Sequence, residues 1–149
     1  MNKSKIEQLL EKEYIVVDFL PQQVPADNKG QFFSVEQVFL KEPRISELRR
    51  KFSDIIIKLC CYYEIEVCNL STNETHQNPK PELLDEWVRS NKCDLQIFIE
   101  ESMVMIATDD THITLYNPSD DLTEMIHDLA RSEGLFVWKP CQHNYEYKR

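Results

Sequence analysis

Five cysteines, four histidines and 26 acidic side chains are this 149-residue chain's means of binding a metal, attacking a carbonyl or moving a proton. Cys60, Cys61 and Cys68 lack the C-x-x-C step that turns two thiolates onto one ion, and adjacent strand residues point to opposite faces. Cys141 and His143 could offer two ligands from one strand face if His76 or His112 came near. Two ligands fall short of the four-ligand pattern, so no metal site is assigned. Nucleophilic catalysis needs a base and an orienting group beside a Cys or Ser, and no histidine here sits in such a local signature. His112 falls at an expected hairpin turn and His127 near the polar margin of an expected helix, so both read as solvated. The carboxylate pairs Glu100-Glu101, Asp109-Asp110 and Asp120-Asp121 are sequence neighbours, which do not converge on one substrate. The last pair is explained by a helix N-terminus, whose dipole favours negative charge. With only two glycines, Gly30 and Gly134, the chain has neither a dinucleotide fingerprint nor a Walker loop. No catalytic residue, cofactor or metal is assigned, and nothing identifies an enzyme.

The elements that would position any site are clearest between Asp94 and Trp138. Leu95, Ile97 and Ile99 alternate with Gln96, Phe98 and Glu100, the period of a strand, and Phe98 implies that the second face is not wholly wet. Met103–Thr108 and Ile113–Tyr116 read as two further strands, with Asp109 to His112 as the turn between them. Asn117 as N-cap and Pro118 at the first helical position predict a helix with Leu122, Met125, Ile126 and Leu129 on one stripe. Gly134 supplies its left-handed end, and Leu135–Trp138 closes a β-β-β-α-β unit.

Upstream, Ser4 and Glu7 form a capping-box pattern for a short helix carrying Ile6, Leu9 and Leu10. Tyr14–Leu20 is the expected first buried strand, with Asp18 at its solvent-facing end, because an unpaired buried carboxylate is costly. Ser34 and Gln37 form a second capping box, opening a helix over Val35–Lys41 that Glu42-Pro43 ends. Ile45–Ser53 starts another helix, and the run Arg44, Arg49, Arg50, Lys51 reads as its wet face. Ile55–Val67 alternates apolar and polar residues like a long strand, the favoured reading, although the i+3, i+4 stripe from Ile45 could carry the helix to Leu59. Ser71–Pro81 reads as a polar surface loop and Glu82–Asn91 as a helix packing Leu83, Leu84, Trp87 and Val88. The tail after Trp138 could pair as a last strand through Tyr145 and Tyr147, or fray.

The sum is an α+β fold over residues 1–149 as one domain: a mostly antiparallel sheet of about five or six strands with helices packed on it. A net charge of −9 argues against generic nucleic-acid or anionic-membrane binding. The N-terminus carries no secretory signal pattern, no stretch is long enough to span a bilayer, and unframed cysteines suit a reducing cytoplasm.

Pro21–Gln31 is the segment with the best claim to function. Two prolines exclude a helix or central strand, stiffen the loop and present Gln22, Gln23, Asp27 and Lys29, while Gly30 supplies a positive φ before the next helix. The leading expectation is therefore a non-catalytic cytoplasmic interaction module (an adaptor, inhibitor or immunity-type protein) with an unidentified protein partner. The rival is a small enzyme or small-molecule binder with a pocket between helices and sheet, involving Cys61, Tyr62, Tyr63 or Trp138. Homo-oligomerisation through Ile55–Val67, were that strand at an edge, is the third.

Overall fold

The protein, seen in a computed structural model that describes residues 3–140, is built on one seven-stranded sheet in the order β3-β2-β4-β5-β6-β1-β7, every pairing antiparallel. The strands are β1 (Tyr14–Asp18), β2 (Glu66–Asn69), β3 (Glu74–Gln77), β4 (Leu95–Ile99), β5 (Ser102–Ile106), β6 (His112–Tyr116) and β7 (Phe136–Trp138). Five helices accompany them: α1 (Lys3–Leu10), α2 (Gln31–Phe39), α3 (Arg44–Leu59), α4 (Pro81–Ser90) and α5 (Asp120–Ser132). The expected α+β class and the C-terminal β4-β5-β6-α5-β7 unit are both present. The closing strand β7 does not lie beside β6, however, because β1 is inserted between them.

Alternation along the strands divides the sheet into two faces. Ile15, Val17, Val67, Ile97, Ile99, Val104, Ile106, Ile113 and Leu115 face α3, α4 and α5 and form the main core with Phe52, Ile55, Ile56 and Leu59. On the other face Phe98 and Met103 pack with Leu9 of α1, which explains why every residue of β4 is buried. The middle of β4 is thus covered on both sides, as the apolar Phe98 in its polar register required.

Several boundaries depart from the sequence reading. The favoured strand over Ile55–Val67 is helix as far as Leu59, followed by turns and then β2. Ile45, Leu48, Phe52, Ile55, Ile56 and Leu59 are all buried in the stripe that a continuous 3.6-residue period produces. Nor does that segment supply an edge strand, since β2 is flanked by β3 and β4. The supposed loop Ser71–Pro81 contains β3, the seventh strand, which is polar because it is an exposed edge. Ser4 and Ser34 lie inside their helices instead of capping them, and α5 is capped by Ser119, whose hydroxyl accepts the Leu122 N–H at 3.1 Å. Asn117 adopts a positive φ of 55° and donates from its side-chain amide to the Glu101 carbonyl at 3.0 Å, so it ends the β6 segment three residues before the helix.

Two charge assignments also change. Asp18 is wholly buried, and its Oδ2 accepts the Trp138 indole N–H at 3.0 Å, so a partner from the far end of the chain offsets the cost of desolvation. Directly opposite Asp18 in the strand register is His112, half-buried instead of solvated. Arg49 is not on a wet face: it is fully buried, donating from Nε to the Val88 carbonyl at 2.8 Å and from Nη1 to the Ala107 carbonyl at 3.1 Å.

Candidate functional site

Two regions expose side chains suited to recognition, one at each end of α3. At its N-terminal end an arm leaves the sheet after β1, runs through the proline loop and returns as α2. The loop is fixed by Asn28, whose side-chain amide donates to the Pro25 carbonyl at 2.8 Å and whose Oδ1 accepts the Phe32 N–H at 3.2 Å. Asn28 does the capping work that the sequence reading gave to Ser34, and Gly30, at φ 78°, makes the positive-φ entry that was expected of it. The Asn-Lys-Gly step was the available signal for this helix start: a side chain that bonds backbone just ahead of it, then a residue free to turn left. Of the loop residues singled out for recognition, Gln22, Asp27 and Lys29 are exposed and Gln23 is half-buried.

Side-chain contacts tie α2 to the body. Phe39 meets Phe19 with ring centroids 4.4 Å apart. The Glu36 carboxylate accepts the hydroxyl of the wholly buried Thr111 at 3.0 Å, and the Arg44 guanidinium lies 5.5 Å from the Phe39 ring centre. Yet none of the nine residues of α2 is buried, although five of them are Phe or Val. Phe33 is 64% exposed, Val38 44% and Val35 40%. At 100° per residue Val35 and Val38 fall on one flank and Phe33 on another, so the helix is apolar well beyond the side that its anchors use.

Behind this arm lies a polar network that holds the β5–β6 loop. Asn91 and Asp109 exchange two hydrogen bonds of 2.8 Å, Asp94 accepts the Thr108 N–H at 2.8 Å, and Arg49 holds the Ala107 carbonyl from below. Burial pushes the Arg49 guanidinium below its ordinary pKa, and the negative charges of Asp110, Asp109 and Asp94 act in the opposite sense. These groups bond one another and the backbone, so the network fixes a loop and offers no reacting atom.

At the C-terminal end of α3 the turn Cys60–Glu64 and the segment Asn78–Pro81 enclose an open groove of about 470 Å³. Cys61, Tyr62 and Tyr63 meet there, three of the four residues that the pocket reading named. Trp138 is not among them: it lies on β7, bonded to Asp18. Asn78 pins the groove's two walls, accepting the Ile65 N–H on Oδ1 at 2.9 Å and donating its own N–H to the Ile65 carbonyl at 2.7 Å. Burial raises the Cys60 thiol above its ordinary pKa, and Cys61 adds to the effect, so Cys60 is not an activated nucleophile.

Among the described residues no group of three or more His, Cys, Asp or Glu side chains converges as a metal ion would need, and Cys60, Cys61, Cys68 and Cys93 are free thiols. Cys141 and His143, and the last strand drawn through Tyr145 and Tyr147, lie outside the described residues. Among the described residues, too, no helix is long and apolar enough to cross a membrane. Comparison with known proteins returned no match, whether to a family model, a curated protein or a solved structure.

Proposed function

We propose that this chain is a non-catalytic cytoplasmic interaction module, an adaptor, inhibitor or immunity-type protein, that docks a protein partner through α2 and the proline loop before it. The observation that carries this reading is the exposure of Phe33, Val35 and Val38 on a helix that buries no residue of its own. A helix apolar on most of its circumference is a buried helix, and one side of α2 is uncovered by the described residues. The loop adds polar groups at its rim, Gln22, Asp27 and Lys29, the usual surround of an apolar interface centre. A net charge of −9 favours a protein over a nucleic acid as the partner.

A photo-crosslinking amino acid placed at Phe33 or Val38, with a control at the exposed Leu70 on the β2–β3 turn, tests the reading in lysate of the source cell. A discrete adduct from the two α2 positions and not from Leu70 is expected, and its mass separates a second copy from a different protein. The same background ladder from all three positions would overturn the assignment of α2.

A further inference from the structure

The geometry points to the tyrosine groove at the C-terminal end of α3 as a second docking site, taking a cationic peptide segment with an arginine or lysine laid on Tyr62 or Tyr63 beside the Glu64 carboxylate. The groove is separate from α2: the 16 residues of α3 put the two sites about 24 Å apart at 1.5 Å per residue.

Three features select this occupant. The first is shape and surface. Tyr62 is 64% exposed, Tyr63 is half-buried, and both border a concavity whose opposite wall is Pro79 and Pro81. Exposed tyrosine faces attract guanidinium and ammonium groups through the ring quadrupole. The second is charge. Among the described residues that line the groove Glu64 is the one charged side chain, and it is exposed; Lys80, between the two wall prolines, is exposed but does not line it. Glu100 and Asp121 add to burial in raising the Tyr63 phenol above its ordinary pKa, so that phenol also lies in a negative field. The third is rigidity. The Asn78–Ile65 hydrogen bonds clamp one wall to the other, and two prolines fix the backbone of the second wall, so little ordering cost remains for binding. Among occupants of a shallow aromatic groove, an anionic segment would meet Glu64 and the fields of Glu100 and Asp121, and an apolar one would leave that carboxylate desolvated.

The test is fluorescence anisotropy with a fluorescein-labelled triarginine peptide, and a labelled triglutamate peptide as the opposite-charge probe, on the full chain and three variants. Tyr62→Ala and Glu64→Gln remove the ring and the charge from the groove. Asp128→Asn removes one charge from an exposed position on α5, away from the groove. All three positions are exposed, so circular dichroism should show unchanged folding. Saturable binding of triarginine but not triglutamate is expected, weakened about three- to tenfold by Tyr62→Ala and by Glu64→Gln, and unchanged by Asp128→Asn. Equal weakening by Glu64→Gln and Asp128→Asn, with no effect of Tyr62→Ala, would show general attraction to an acidic surface and overturn the proposal. So would the absence of saturable binding.

Discussion

Arg49 shows what a single residue can hold together. It is the largest fully buried side chain among the described residues, and it joins three elements: its own helix α3, the Val88 carbonyl on α4 and the Ala107 carbonyl after β5. Truncating it removes the buried guanidinium donor of the Val88 carbonyl, leaves the half-buried Ala107 carbonyl with the longer 3.4 Å bond from the Asp110 N–H, and opens a cavity. An orphaned buried group costs about 1–3 kcal/mol and the cavity adds to it, so Arg49→Ala should destabilise the fold by about 3–5 kcal/mol. Arg49→Lys, with one ammonium in place of a fork, should reach only one carbonyl and lose about 1–3 kcal/mol. Urea unfolding of the three proteins checks the order, and equal midpoints for all of them would show that Arg49 holds nothing. The adjacent cysteines give a second residue-level contrast. Burial raises the Cys60 thiol, while Cys61 is exposed beside it. Alkylation with limiting iodoacetamide, followed by peptide mass spectrometry, should therefore modify Cys61 several-fold faster than Cys60. Equal rates would mean that the end of α3 opens readily.

At the scale of elements, α2 and α3 differ in what they contribute. The helix α3 buries eight residues, among them Phe52, Ile55, Ile56 and Leu59 with no exposure, and α2 buries none. Phe33→Ser should accordingly change stability by less than about 0.5 kcal/mol, whereas Ile56→Ala should cost about 2–5 kcal/mol. Hydrogen exchange should place the amides of α2 well below those of α3 in protection. A large loss from Phe33→Ser would mean that α2 is part of the core and unsuited to docking. The same pair of helices shows how far the sequence could be read. The strands β4, β5 and β6 were legible because each alternates cleanly between two packing partners. The segment from Ile55 is ambiguous because Ile55 and Leu59 satisfy both periods while Ile57 fits only the strand's, and the earlier members of the stripe, Ile45, Leu48 and Phe52, decide for the helix. Arg49 and Asp18 were misread for a different reason: their partners lie 39 and 120 positions away, and no local pattern announces them. The loop before α2 is visible in the sequence as an irregular proline-bearing stretch. The exposure of α2 was not, because an apolar helix in a sequence looks the same whether its partner lies inside the chain or outside it.

For the whole molecule, charge and burial combine at alkaline pH. Cys60, Tyr63 and Tyr116 all have pKa values above their ordinary 9.0, 10.0 and 10.0, with burial the main cause in each. Tyr14 adds to the shift at Tyr116, as Glu100 and Asp121 do at Tyr63 and Cys61 does at Cys60. The folded protein therefore keeps protons that the unfolded chain releases. With fewer protons bound in the unfolded state, stability falls as pH rises: the contribution of these groups is complete below about pH 9 and is lost as pH climbs through their raised values. Each ionisation also adds negative charge to a chain already at −9, so self-repulsion acts in the same direction. The urea midpoint should thus drop between about pH 8 and about pH 10.5, and the Trp fluorescence of Trp87 and Trp138 can follow it. Repulsion alone would give the same sign, and Tyr116→Phe separates the two causes. That variant keeps the ring packed between Tyr14 and Met103 in register while removing the titrating hydroxyl, so its midpoint should fall less steeply over this range. Parallel curves for the two proteins would assign the whole slope to net charge, and a flat midpoint in the parent would refute the raised pKa values of these groups.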